Sequence, residues 1–198
     1  MRIGVFGGTF DPVHNIHLDV ARAALQHANL DKVLFVVASQ PPHKRNGFHA
    51  TPDQRYEMVE LALKDEPKME PCHLELDRDG PSYTVDTLRE LNRQYDGAAL
   101  NLIMGLDSLV DLPQWKDTEE ILDLAHILVV TRPGPKGIPP SLQGRYTVVP
   151  FEPIDESSTD VRTLMFEGKP FEDRVPSAVA RYIHKHNVYN ADSQPSQS

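Results

Sequence analysis

The segment GGTFDPVHNIH, Gly7 to His17, places two glycines, a proline and two imidazoles directly after a short apolar run. Glycine permits positive φ and lets a ligand approach the backbone closely, so Gly7 and Gly8 suit an anion-binding turn. A helix expected from about residue 16 would aim its free N–H groups and positive dipole end at the same place, which favours phosphate. His14 and His17, three residues apart around the first helical turn, can both face that anion. Spacing alone leaves other readings open. The glycines could make an ordinary turn, and the histidines could be exposed residues or metal ligands. No further Cys/His cluster supplies third and fourth ligands, which weighs against a metal. The dinucleotide fingerprint GxGxxG is absent, so an ordinary NAD-binding dehydrogenase is unsupported.

These residues need a scaffold, and 198 residues are enough for one sizeable core with a small appendage. No run of 18 apolar residues suggests a membrane span. The apolar part of MRIGVFGG is too short for a signal peptide. Cys72 is the single cysteine, which excludes an intrachain disulfide and fits a reducing cytoplasm. The net charge of −9 argues against a general nucleic-acid binder but not against a small anionic ligand. ADSQPSQS, 191–198, is small, polar and proline-containing and is expected to be a disordered tail.

Apolar runs at 2–6, 32–38, 72–77, 100–104 and 126–131 read as strands, most of them near-continuous as in a parallel sheet covered on both faces. Helical patterns lie between them. One starts near Ile16 and carries Val20, Ala21, Ala24, Leu25 and Ala28; a second has Met58, Val59, Leu61, Ala62 and Leu63; a third has Val85, Leu88, Leu91 and Tyr95. This alternation predicts an α/β, doubly wound, Rossmann-like parallel sheet with helices on both faces. RPGPKGIPPSLQGR reads as a loop, 147–150 as a short strand, and two short helices should follow, one after 157–159 and one from Pro176 to about His186. No internal repeat or linker divides the chain, so 1–190 is expected to be one domain with a small C-terminal helical segment.

The whole opening stretch resembles the (H/T)xGH signature of the nucleotidylyltransferase superfamily. The form with two histidines after GGTFDP is most similar to nicotinate or nicotinamide mononucleotide adenylyltransferases; pantetheine-phosphate adenylyltransferases usually carry threonine where this chain has His14. PPHK (41–44), GPSYTVDT (80–87), GLDS (105–108), LPQW (112–115) and SSTDVR (157–162) resemble further family segments in the family's order. Each is weak alone; together they are specific, and the bacterial nicotinate mononucleotide adenylyltransferases are the nearest resemblance.

The resemblance implies adenylyl transfer from ATP to nicotinate mononucleotide, giving deamido-NAD and pyrophosphate in NAD biosynthesis, with Mg²⁺ travelling with ATP and no protein metal ligand named. It implies that His14, His17 and Arg162 are catalytic and contact phosphates. Gly7, Gly8, Thr9, Phe10, Gly105, Asp107, Arg132, Ser158 and Thr159 would bind ATP, Thr9 and Phe10 by backbone donors and a packing face, Asp107 near the ribose and Arg132 beside the triphosphate or adenine. Hydroxyls before a helix can also cap it, and the resemblance favours the clamp over a cap alone. Arg162, on the next turn, offers a planar fork to phosphate. His43 and Lys44 would meet the acceptor phosphate, or form only a solvated basic loop. Tyr83 and Thr84 would recognise the nicotinate carboxylate, and Trp115 would lie against the pyridine ring unless it is an ordinary core aromatic. Asp11 could start the helix or fix the loop.

Two departures stand out. The motif ordinarily has glycine where this chain has Ile16, and an apolar residue where it has Glu156. Ile16 could crowd ATP or turn into the core. Glu156 and Asp160 place negative charge near a phosphate clamp. The alternatives are an adenylyltransferase acting on nicotinamide mononucleotide or another small phosphate, or a nucleotide-binding protein of this fold with little turnover.

Overall fold

Strands whose residues are apolar on both sides must be covered on both sides. The computed structural model, which describes residues 1–40, 49–131, 134, 137–152 and 156–189, shows that arrangement. The strands are β1 (Arg2–Gly8), β2 (Lys32–Val37), β3 (Met69–Cys72), β4 (Ala99–Gly105), β5 (Ala125–Thr131) and β6 (Tyr146–Pro150). They form one sheet in the order β3-β2-β1-β4-β5-β6, with every neighbouring pair parallel. The order reverses between β1 and β4, so a crevice opens beyond their carboxyl ends.

Side chains alternate between the two faces. Ile3, Val5, Leu34, Val36, Leu102 and Val129 pack on one face, against Leu88 of α3 (Thr84–Gln94), Leu109 of α4 (Leu106–Asp111) and Ile121 of α5 (Thr118–Leu124). Val33, Phe35, Ile103 and Leu128 pack on the other, against α1 (Asn15–His27), α2 (Pro52–Leu63), α6 (Ser158–Phe166) and α7 (Ser177–His186). Those helices contribute Leu18, Met58, Val161 and Val179 to that core. Thr51 caps α2 by accepting from the Gln54 N–H at 3.2 Å, and Pro52 takes the first helical position.

The expected third strand at 72–77 is displaced. β3 ends at Cys72, and the chain then turns, with Leu76 N donating to His73 O at 2.8 Å. The apolar alternation that mimics a strand is satisfied differently: Leu74 packs toward one core and Leu76 toward the other. Met69, at the start of the true strand, is buried and pairs with Val33. The short helices α4 and α5 lie in segments the hydrophobic pattern leaves unassigned. Pro176 sits one residue before α7 as its N-cap. The segment 191–198 lies outside the described residues. No described helix is long and apolar enough to cross a membrane.

Candidate active site

The crevice at the switch point is a cavity of about 620 Å³. Gly7, Thr9, His14 and His17 wall one side of it, Ser158, Thr159 and Arg162 a second, and Tyr83, Thr84 and Trp115 a third. Gly105 and Ser108 line it from the end of β4.

The two glycines do not serve the turn expected of them. β1 runs extended through both, and neither has positive φ. A Cβ on Gly7 would meet nothing within 4 Å, so this position leaves the cavity edge open. A Cβ on Gly8 would fall 2.9 Å from the Phe10 ring. The positive φ belongs to Phe10, at +48°. Its ring is buried against Phe6 and Phe35 and lies edge-on to His17, with centroids 5.0 Å apart. The expectation that Phe10 offers a packing face to the nucleotide is therefore corrected. The side chain belongs to the core beneath His17 and is not on the cavity wall.

Below the loop lies a buried polar network. Asp11 is 4% exposed, and its carboxylate accepts from His49 N and Ala50 N, each at 3.1 Å, and from the Tyr189 hydroxyl at 2.7 Å. Asp11 thus fixes the loop; it does not cap the helix. Arg55 is fully buried and donates to Thr9 O at 2.8 Å and Ala38 O at 2.6 Å. Burial and the Asp11 charge push the Tyr189 hydroxyl well above its usual range, so it remains a donor. Sequence reasoning missed both Arg55 and Tyr189. Arg55 had a legible signal: Met58, Val59 and Ala62 follow it on the same helical face, so a cation stands on an apolar stripe.

His14 is the N-cap of α1 and is 3% exposed. Burial lowers its pKa to about 4, against a weaker upward pull from Asp160. The ring is neutral at pH 7. His17 Nδ1 accepts from the His14 N–H at 3.2 Å, so a neutral His17 carries its proton on Nε2. The two ring centroids are 3.9 Å apart.

The opposite wall is tied to this loop. Ser158 Oγ donates to Pro12 O at 3.0 Å. Arg162 Nη1 donates to Asp11 O at 2.6 Å, and its Nη2 to Thr159 Oγ1 at 3.1 Å. Ser157 caps α6, with Asp160 closing the capping box by accepting from Ser157 N at 2.7 Å. Those bonds hold the Asp160 carboxyl below its usual range. Glu156 lines the cavity but pairs with Arg174, whose carbonyl accepts from Asn15 N at 2.9 Å. The two carboxylates that looked hostile to phosphate are thus each engaged.

At the far end, Ser82 Oγ accepts from Ser39 N at 3.0 Å and Gln40 N at 3.2 Å, which joins the start of α3 to the end of β2. Tyr83 is the N-cap of α3 and Thr84 its first residue. Lys116 Nζ stands 4.6 Å from the centre of the Tyr83 ring and 3.1 Å from Asp86. Trp115 is half-buried, with part of its ring against the core. Asp107 is exposed on the first turn of α4, beside but not on the cavity wall. His43, Lys44 and Arg132 lie outside the described residues.

A cytidylyltransferase-like family model matches residues 5–164. A protein of Thermus thermophilus named as a probable nicotinate-nucleotide adenylyltransferase is 45% identical over 96% of this chain and 100% of its own length. One of the same name from a Roseiflexus species is 41% identical over 94% of this chain and 97% of its own length. In structure, the chain is similar to the Plasmodium falciparum nicotinic acid mononucleotide adenylyltransferase complexed with NaAD, with a TM-score of 0.77 at 17% identity, covering 95% of this chain and 97% of that one. This chain belongs to the nicotinate-nucleotide adenylyltransferase family.

Within that family the departure at Ile16 is now placed. Its side chain lines the cavity, off the face of α1 that buries Leu18, Ala21 and Ala24. Crowding of the ligand is therefore the physical expectation, not core packing. Ile16→Gly should strengthen ATP binding or raise turnover. It should also lower stability by roughly 0.5–1 kcal/mol through backbone entropy. ATP titration, turnover and melting of both proteins check this. Unchanged or weaker ATP binding with lower stability would contradict it.

His14 generates a second prediction. The folded pKa of about 4 lies below the ordinary 6.5, so the unfolded chain binds the proton more readily between those values. The stability contributed by neutral His14 is full above about pH 6.5 and is lost as pH falls through 4. At 1.36 kcal/mol per pKa unit, that loss is about 3 kcal/mol. Urea unfolding of wild type and His14→Gln between pH 7 and 4 should show the shallower slope in the variant. Equal slopes would contradict the assignment.

Proposed function

We propose that this chain transfers the adenylyl group of ATP to nicotinate mononucleotide, releasing pyrophosphate and forming deamido-NAD. The observation that carries this reading is one continuous cavity whose histidine and arginine end suits a triphosphate and whose Tyr83–Trp115 end suits an aromatic ring with a polar substituent.

An oxygen of the acceptor phosphate attacks the α-phosphorus. A new P–O bond forms there, the bond to the β-phosphate oxygen breaks, and pyrophosphate leaves with that electron pair. The acceptor phosphate has a second pKa of about 6 and is already largely ionised near neutral pH. No general base or covalent intermediate is required, so the chain's task is alignment and charge stabilisation. His17 presents a donor to the phosphates. His14 begins neutral, and a bound polyanion draws its pKa upward. Arg162, Ser158 and Thr159 close on the phosphates from α6, and the positive dipole end of α1 faces the same space. Gly7 and Gly105 leave room for the nucleotide. Thr84 and the backbone at Tyr83 orient the nicotinate carboxylate, and Trp115 lies along the ring. Mg²⁺ enters as part of the ATP substrate, held by phosphates and water. Among the described residues no cluster of three His, Cys, Asp or Glu side chains forms a metal site.

Pyrophosphate release from ATP and Mg²⁺, with nicotinate and nicotinamide mononucleotides compared, tests the reaction. His17→Ala should remain folded and lose about 2.7–4 kcal/mol of transition-state stabilisation, a hundredfold to a thousandfold in turnover. Near-wild-type turnover in the folded variant would overturn the role of His17. kcat/KM should favour nicotinate mononucleotide; equality, or preference for the amide, would overturn the carboxylate reading.

A further inference from the structure

One ionisable group on the cavity wall has no part in the reaction above. Glu75 is only 7% exposed, yet it lines the cavity together with Ser82, Thr84, Thr87 and Trp115. Thr87 Oγ1 donates to Glu75 Oε1 at 2.6 Å, and Ser82 also bonds to the carboxyl. Arg78 reaches Thr87 Oγ1 at 3.2 Å, not the carboxylate itself. No ion pair among the described residues includes Glu75. The other groups nearby are paired or neutral. Lys116 is held by Asp86, Asp77 bonds to His73, and burial keeps the Cys72 thiol protonated. Burial also raises the pKa of Glu75, against weaker opposition from Thr87, Ser82 and Arg78.

A buried carboxyl at this end of the cavity has a direct chemical consequence. A ligand carrying its own carboxylate brings a second negative charge into the same half-dry space. Two neighbouring carboxyls in such a space bind one proton between them. A ligand carrying a neutral amide has no such requirement, and its N–H₂ can donate to an ionised carboxylate.

We infer that Glu75 is a specificity-determining residue of the acceptor end, taking one proton from solvent onto its carboxyl when an anionic ring substituent binds and remaining ionised when an amide binds. This rests on the reading of the Tyr83–Trp115 end as the acceptor site. As the acid, Glu75 donates a hydrogen bond where it would otherwise repel. The preference for acid over amide then weakens as pH rises.

The test is calorimetric binding of nicotinate and nicotinamide mononucleotides, each in two buffers of different ionisation enthalpy. The ligands share one phosphate, so the difference between them isolates the ring substituent. At neutral pH the wild type should take up about one proton more with the acid than with the amide, and the ratio of their affinities should fall by about tenfold per pH unit. In Glu75→Gln both the extra proton and the slope should vanish. Equal proton counts for the two ligands in the wild type, which needs no variant, would overturn the inference. So would an extra proton that persists in folded Glu75→Gln. If neither mononucleotide binds, the acceptor reading itself fails, and this inference with it.

Discussion

The site depends on a carboxylate that no ligand reaches. Asp11 sits under the turn between β1 and α1 and gathers hydrogen bonds from His49, Ala50 and Tyr189, segments far apart in the chain. Arg55 ties the same turn to the end of β2, and Arg162 reaches the Asp11 carbonyl from α6. Hydrogen bonds to charged groups contribute about 1.5–3 kcal/mol each. A turn held from so many directions keeps His14 and His17 aimed before any ligand arrives. Such preorganisation is what a reaction driven by alignment and electrostatics requires.

The same construction explains how unusual residues are tolerated. Glu156 would be a misplaced charge on a phosphate-facing wall, but Arg174 neutralises it, and the backbone at Arg174 is itself bound to the start of α1. Asp160 helps to begin α6. Ile16 has no comparable compensation: it lines the cavity and belongs to neither core cluster of the described residues. The departure at Glu156 is offset in charge by Arg174. The departure at Ile16 alters the shape of the crevice.

Much of this was legible in the sequence, for physical reasons. Strands covered on both faces leave near-continuous apolar runs, so β1, β2, β4 and β5 stand out, and the order of motifs follows the edge where those strands end. The third strand was misplaced because Leu74 and Leu76 alternate as in a strand while packing against separate cores across a turn. At Gly7 and Gly8 the positive φ expected from the sequence is absent, while the expected room for close approach is present at Gly7 and close packing on Phe10 accounts for Gly8. Tyr189 gave no local sign, since its partner lies 178 residues away. Arg55 gave one: a cation on the apolar stripe of an amphipathic helix. Glu75 was hidden inside the segment mistaken for a strand.

The most direct test of the Asp11 network removes one bond from it without touching the cavity. Tyr189 is buried and lies off the cavity wall, so Tyr189→Phe deletes only the hydroxyl that Asp11 accepts from. Melting and ATP titration should be measured on the same protein. A positioning role predicts a stability loss of about 1.5–3 kcal/mol together with roughly tenfold weaker ATP binding in the folded protein. Lower stability with ATP affinity unchanged would show that the network supports the fold but does not aim the histidines.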